Sequence, residues 1–121
     1  MKQKIAALAV LTAILIAWPT CFVLASINTS STITAAGTYQ QVFAPNATRT
    51  GCAIQNNAVT GVPAHLMYVY AGPIASATHN NSFQVVPVGG TYNCSTEFGV
   101  QTDQISIDGG TTGDAFYAAQ W

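Results

Sequence analysis

The sequence has very little charge. Only 6% of its 121 residues are Asp, Glu, Lys or Arg, against roughly 25% in an ordinary soluble protein. Lys2 and Lys4 stand at the N-terminus, so Arg49 is the only firm positive charge that follows them. Because nucleic acid and anionic membrane surfaces are bound through clustered Lys and Arg, the composition excludes a nucleic-acid-binding protein. It also disfavours a protein that binds an anionic membrane surface.

Residues that carry catalytic or metal chemistry are also scarce. The chain has two histidines, four carboxylates and three cysteines. His65 and His79 lack a third ligand at a recognised spacing, and no Cys-x-x-Cys motif indicates zinc. No Gly-x-Ser-x-Gly elbow is present, and no two carboxylates stand out as a glycosidase pair. We therefore expect a protein that is not an enzyme and that uses no metal and no cofactor.

One acidic turn leaves calcium as an alternative. Asp108 and Asp114 flank the run Gly109-Gly110-Thr111-Thr112-Gly113, and such loops supply oxygen ligands to Ca²⁺ in other proteins. The run does not match the EF-hand ligand pattern, and Asp is itself a common turn former. The turn-forming role is the preferred interpretation, and the sequence does not decide whether calcium binds near Asp108 and Asp114.

Residues 1–25 resemble a secretory signal peptide. A short basic start precedes the apolar run Ile5 to Trp18, Pro19 interrupts it, and Val23-Leu24-Ala25 offers small residues at a cleavage site before Ser26. The alternative is an uncleaved membrane anchor, since residues 5–25 are long enough to span about 30 Å of hydrocarbon as a helix. Both interpretations export the rest of the chain.

Cleavage after Ala25 would remove Cys21 and leave two cysteines, Cys52 and Cys94. An even pair in an exported protein predicts a disulfide. Closing a loop of about 40 residues would stabilise the fold by about 3 to 4 kcal/mol in the chain-entropy model. The alternative is a pair of free, buried thiols.

After the leader, short runs of β-branched and aromatic residues alternate with Gly, Pro and Asn. This pattern predicts strands and turns, and no window has the apolar spacing of a helix. The predicted strands lie near 31–35, 38–44, 52–56, 65–71, 82–88, 91–95, 103–108 and 114–120. We expect an all-β protein, a small antiparallel β-sandwich or barrel of about eight short strands. Its domains would be the leader or anchor (1–25), a polar N-terminal lead or edge strand (26–37) and the sandwich (38–121).

Alternation predicts which side chains face the core. Ile105 and Ile107 share one face of their strand, and Gln104, Ser106 and Asp108 share the other, which is expected to face solvent. Cys52 and Cys94 each share a face with apolar neighbours, as a bridge through the core requires. The run from Val85 to Tyr92 is expected to form a hairpin around Gly89-Gly90, since glycine tolerates the positive φ angles of hairpin turns.

Two sets of residues are candidates for contact with partners. Tyr68 and Tyr70 share a strand face and Trp121 is terminal, so they are candidates to contact a carbohydrate or a neighbouring subunit, although core packing is the preferred interpretation. Ile27, Thr29 and Ile33 belong to a polar lead that is a candidate to add as a strand to the open sheet edge of the next subunit.

Four segments together resemble a known group of proteins. They are YQQVFAPNATRTGCAIQN (39–56), LMYV (66–69), VPVGGTY (86–92) and ISIDGGTTGDAF (105–116). Their order is similar to small β modules of bacteriophage virion accessory or decoration proteins and of prophage-encoded proteins, over roughly residues 32–121. The resemblance implies a β-sandwich that decorates or builds a shell. The signal segment and the cysteine pair depart from that group, because most such modules assemble in a reducing cytoplasm.

These observations favour a non-catalytic, exported structural module of a virion or other extracellular assembly, which self-associates or decorates a larger shell. The alternatives are a secreted adhesion or carbohydrate-binding module and a fibre subunit that assembles by strand addition. The expected partners are further copies or other coat and surface proteins, with glycan as the alternative, and a membrane only if residues 1–25 remain attached. The expected location is extracellular, on the cell surface or on a virion.

The leader and the cysteines give the first testable prediction. The native product should begin at Ser26 and weigh two hydrogen atoms less than its reduced form, because Cys52 and Cys94 are joined. Intact mass spectrometry before and after reduction measures both quantities. A product that retains Met1 to Ala25 would support the anchor, and a mass unchanged by reduction would contradict the disulfide.

Overall fold

A computed structural model describes residues 27–59, 63–96 and 99–121. The predicted signal peptide or anchor lies outside the described residues. Within the described ranges, no helix combines the length and apolar character needed to cross a membrane.

The described chain consists of short strands joined by turns, as the β-branched and aromatic runs predict. The longer strands bracket the chain, β1 at Ile27–Thr32 and β10 at Ala115–Gln120. Between them lie β2 (Gln40–Phe43), β3 (Cys52–Asn56), β4 (Met67–Ala71), β5 (Phe83–Val85), β6 (Thr91–Asn93), β7 (Ser95–Thr96), β8 (Gly99–Val100) and β9 (Ile105–Gly109). Three short 3-10 turns occupy Pro63–His65, Ile74–Ser76 and His79–Asn81.

The strands form two four-stranded antiparallel sheets, which confirms the all-β prediction and selects a sandwich. The first sheet has the order β1-β10-β3-β6, and the second has the order β2-β9-β4-β5. Strands β7 and β8 form a separate two-stranded ribbon. Every ladder in both sheets is antiparallel, so neighbouring strands alternate in direction across each sheet.

The core lies between the two sheets and contains the disulfide. Cys52 on β3 and Cys94 just after β6 are fully buried and bonded to each other, with Cα atoms 5.2 Å apart. The predicted pairing is therefore confirmed. Around it pack the other buried side chains of the cluster: Ile33, Phe43, Ile54, Met67, Val69, Val85, Tyr92, Ile105, Ile107, Phe116 and Ala118.

The predicted hairpin over Val85 to Tyr92 is wrong. Strand β5 belongs to one sheet and β6 to the other, so the turn between them carries the chain across the sandwich. Val88 and Gly89 both have positive φ, at 63° and 90°. Gly90 lies so close to the Val86 carbonyl that a Cβ there would clash. This tight arch turns the chain toward the opposite sheet instead of back along β5.

The predicted solvent face of β9 is also wrong. Ile105 and Ile107 are buried as expected, but Ser106 and Asp108 on the other face are buried too. Part of the chain between β4 and β5 covers that face, because His79 reaches Asp108 across it. Strand alternation alone cannot reveal a cover supplied by a loop distant in sequence.

The two cysteines of the disulfide are 42 positions apart, and the bond links β3 to the residue that follows β6 in the same sheet. Replacing Cys52 and Cys94 together by alanine should lower the free energy of unfolding by about 3 to 4 kcal/mol, because the unfolded chain regains the freedom of a long loop. Urea denaturation monitored by tyrosine fluorescence measures the change. Reducing the native chain should give a similar loss, and an unchanged urea midpoint in both cases would contradict a stabilising bridge.

Candidate functional site

Tyr68 and Tyr70 lie on the outer face of β4, but their rings contact the protein's own chain. The Tyr68 ring stacks on His79, with centroids 3.9 Å apart and planes 8° apart. Tyr70 meets Tyr39 edge to face at 6.5 Å, and it also lies against Gly72. Both tyrosines are only half-buried. One face of Tyr68 is nevertheless covered, so the pair does not form the flat, open platform on which a sugar would stack.

His79 fastens this cover to the sheet. Its Nε2 lies 2.7 Å from Oδ2 of Asp108, which is 1% exposed. The other carboxylate oxygen, Oδ1, is buried without a hydrogen-bond partner among the described residues. Beside it, the Tyr39 hydroxyl bonds to Ser82 Oγ at 2.6 Å, and burial raises the pKa of Tyr39. The cluster holds the 3-10 turn of His79 against the outer face of the second sheet.

The second acid of the predicted turn has its own histidine. His65 Nδ1 lies 2.8 Å and 2.9 Å from the two carboxylate oxygens of Asp114. Asp108 and Asp114 therefore each contact an imidazole from a different part of the chain. Among the described residues, no three His, Cys, Asp or Glu side chains are grouped as metal ligands. Asp108 lies within β9 and not in the turn, whereas Asp114 immediately precedes β10. Both carboxylates are engaged by histidines of the chain itself.

Arg49 is the principal polar connection between loops. It is 3% exposed, and its guanidinium donates to the carbonyls of Ala44, Gln101 and Asp103 and to Gln120 Oε1, at 2.7 to 2.9 Å. The group also lies 5.5 Å from the ring centroid of Phe43. Burial lowers the pKa of Arg49. Guanidinium suits this place because its rigid fork of N–H donors reaches several acceptors at once.

Trp121, the third predicted contact residue, is partly engaged within the fold. Its backbone exchanges hydrogen bonds with Gly51, and its indole covers the Cα of that glycine so closely that any side chain there would clash. The residue remains 44% exposed. It therefore retains surface for contact with a partner, unlike the covered face of Tyr68.

The predicted strand-addition residues belong to one segment at the edge of the first sheet. Ile27 and Thr29 lie in β1, paired with Gln120 and Ala118 of β10. Ile33 follows the strand and is 1% exposed, whereas the side chains of Ser30, Ser31 and Thr32 are exposed. Ile33 is thus a buried anchor directly after a strand whose backbone pairs with β10.

The four edge strands define two flanks of the sandwich. At the first flank, β1 and β2 are bridged by Gln40, whose carboxamide donates to the Thr32 carbonyl and accepts from the Thr34 amide and hydroxyl. At the second flank, β5 and β6 are bridged by the Phe83 and Tyr92 rings, with centroids 5.1 Å apart. None of the four edge strands contains a charged residue or a proline.

Among the described residues, three of the six exposed large apolar side chains lie at the second flank. Phe83, Val86 and Val88 are 58%, 56% and 66% exposed. Val88 combines this exposure with a φ of 63°. A β-branched residue is an outlier in that region, and such strain costs about 1 to 3 kcal/mol. The fold thus holds a valine at the surface in a conformation that a glycine or asparagine would adopt more easily.

The described surface is almost without charge. Arg49, Asp108 and Asp114 are buried, and Asp103 is the one charged side chain that is exposed within the described ranges. The sequence predicted a low charge but not its burial. No local motif marks Arg49 as buried, and the two histidine–aspartate pairs join residues 29 and 49 positions apart.

Comparisons with known proteins add one structural likeness. No family model and no curated protein matches the chain. A solved structure from work on Bacillus endospore appendages, described as a novel family of disulfide-linked pili, is 16% identical with a TM-score of 0.48. The similarity covers 80% of this chain and 86% of that chain. This degree of likeness establishes neither a family nor a function, and the resemblance to phage modules stays a prediction.

The Arg49 contacts predict a large stability effect. Arg49→Met should lower the free energy of unfolding by about 2 to 4 kcal/mol, because four partly buried hydrogen bonds from the guanidinium are lost. Arg49→Lys should recover only part of the loss, since a lysine ammonium lacks the planar fork. Urea denaturation measures both variants. Thr50→Ala, on the other exposed neighbour of Arg49, is the control, and equal stability of Arg49→Met and wild type would contradict the role given to Arg49.

Proposed function

We propose that this protein is a non-catalytic structural subunit of an extracellular assembly made from many copies of the same chain. The observation that carries the proposal is the nearly neutral surface of the described residues, together with sheet edges whose strands carry no charge and no proline. Natural proteins usually protect edge strands with lysine, proline or bulges, because exposed edges pair with other chains. Neither flank has a charge or a proline in its edge strands, and of the four only β2 has an irregular register, between Gln41 and Phe43. Within the described residues, the edge strands therefore carry few of the usual protections against pairing.

An extracellular location is supported by two features. The buried disulfide between Cys52 and Cys94 suits an oxidising compartment. The leader over residues 1–25 provides export in the sequence interpretation. A virion surface and a cell-surface fibre both meet these conditions, and labelling with an antibody in electron micrographs of the host would distinguish them.

A structural role is also supported by the contacts of the polar groups. His65, His79, Asp108 and Asp114 are engaged with one another in pairs, and Arg49 contacts four oxygens of its own chain. Each of these groups holds a loop in place. The half-covered Tyr68 gives less support to the carbohydrate-binding alternative, which would be tested by Tyr68→Ala and Tyr70→Ala on a glycan array.

The proposal predicts assembly that is insensitive to salt. The purified, oxidised chain should form oligomers or polymers, and sodium chloride should change their amount little, because ions screen charges and the described surface exposes one charged side chain. Light scattering and negative-stain electron microscopy over a salt series measure this. A strict monomer at all concentrations, with no binding to coat or surface proteins, would overturn the proposal.

Strand β1 gives a sharper form of the same test. Deleting residues 27–32 should abolish polymers while sparing the fold, since the buried anchor Ile33 is kept. The matched control replaces Ser30, Ser31 and Thr32 by alanine, which retains the strand's backbone and should leave assembly intact. Circular dichroism and the disulfide mass verify folding of both variants. Polymers from the shortened, folded chain would contradict a role for β1 in assembly.

A further inference from the structure

The two flanks of the sandwich are complementary in strand direction. Because each four-stranded sheet is antiparallel throughout, its first and last strands run in opposite directions. A second copy displaced sideways without rotation would therefore place its β1 antiparallel to β6. The same holds for β2 and β5 in the other sheet. Translation without rotation thus continues the alternation of strand direction in both sheets.

The hydrogen-bonding pattern shows which backbone groups face each open edge. Ile33 donates its amide to the Asp114 carbonyl, so alternation along β1 turns the N–H and C=O of Ser30 outward. Cys94 donates to the Cys52 carbonyl, so the same rule turns those of Thr91 and Asn93 outward from β6. The two edges of the first sheet thus present donors and acceptors to a neighbour.

We propose that copies of this chain join head to tail, with the first flank of one copy on the second flank of the next, so that both sheets continue from copy to copy. The inference rests on the proposed structural function and names its partner surface, a second copy of the chain. A contact between two different surfaces related by translation does not close on itself, and it produces a fibre.

The apolar side chains of the second flank fit this contact. Phe83, Val86 and Val88 lie beside the edge strands β5 and β6, where an added copy would cover them. The facing flank carries Ser30, Thr32 and Gln40, which are uncharged. Their burial costs less than the burial of charged side chains, and hydrogen bonds to the neighbouring copy would offset that cost. In this arrangement, the strained backbone of Val88 has a function, because it presents an apolar side chain to the next copy.

Two blocking variants test the head-to-tail geometry. Ser30→Pro removes an outward amide of the first flank, and Thr91→Pro removes one of the second, at edge positions where proline is tolerated. Each purified variant should remain monomeric. When mixed, they should form a one-to-one dimer and no larger species. The intact second flank of the Ser30→Pro variant can bind the intact first flank of the Thr91→Pro variant, and no further contact is possible. Sedimentation velocity and native mass spectrometry measure the species.

The outcomes separate this inference from the function on which it rests. Wild-type polymers together with polymers from the mixed variants, or dimers from either variant alone, would overturn the head-to-tail contact and leave the structural function standing. A monomeric wild type would overturn both. If a proline variant lacks the folded circular dichroism spectrum, Ser30→Lys and Thr91→Lys take its place, since an edge lysine blocks pairing without removing the amide.

Val88 provides a second, independent readout. Val88→Asn should raise the concentration needed for polymers about tenfold, through the loss of valine burial, while the thermal midpoint of the monomer stays equal or rises because asparagine tolerates positive φ. Ile74→Ser is the matched control, an exposed apolar residue on a 3-10 turn away from the edge strands. Unchanged assembly of Val88→Asn, or equal weakening by Ile74→Ser, would contradict the contact at the second flank.

Discussion

The buried guanidinium of Arg49 connects the parts of this fold that strand pairing leaves separate. It donates hydrogen bonds to oxygens that follow β2, precede β9 and end β10. Those positions belong to both sheets. Burial of a cation costs free energy unless the cation is well hydrogen-bonded. The loops that supply these oxygens must therefore keep their positions for the buried guanidinium to remain hydrogen-bonded. The disulfide supplies the complementary constraint inside the first sheet.

The same arrangement explains the character of the surface. Of the charged side chains that the structure describes, Arg49, Asp108 and Asp114 stabilise loops from within, and this leaves the outside almost neutral. A neutral surface offers little repulsion between copies and little cost of desolvation. The few described charged residues are therefore mostly buried, and the edge strands carry no charge. Both features are compatible with a subunit that packs against copies of itself.

Several features of the fold could be predicted because they depend on local patterns. The frequency of β-branched runs and turns indicated an all-β chain, the inward alternation of Ile105 and Ile107 was correct, and the pairing of Cys52 with Cys94 followed from their number and compartment. The crossing between β5 and β6 was missed, since Gly89-Gly90 suits a hairpin and an arch equally well. The burial of Ser106 and Asp108 was missed because a distant segment covers them.

By itself, the sequence determined the class of fold, the shortage of charge and the presence of one cysteine pair after the predicted leader, because composition and short-range periodicity carry that information. Only the tertiary structure decided that Arg49 is buried, that His65 and His79 each meet an aspartate, and that two uncharged flanks end the sheets with opposite strand directions. These features join residues far apart in the chain. Their contacts depend on the order and direction of strands, which no local pattern specifies.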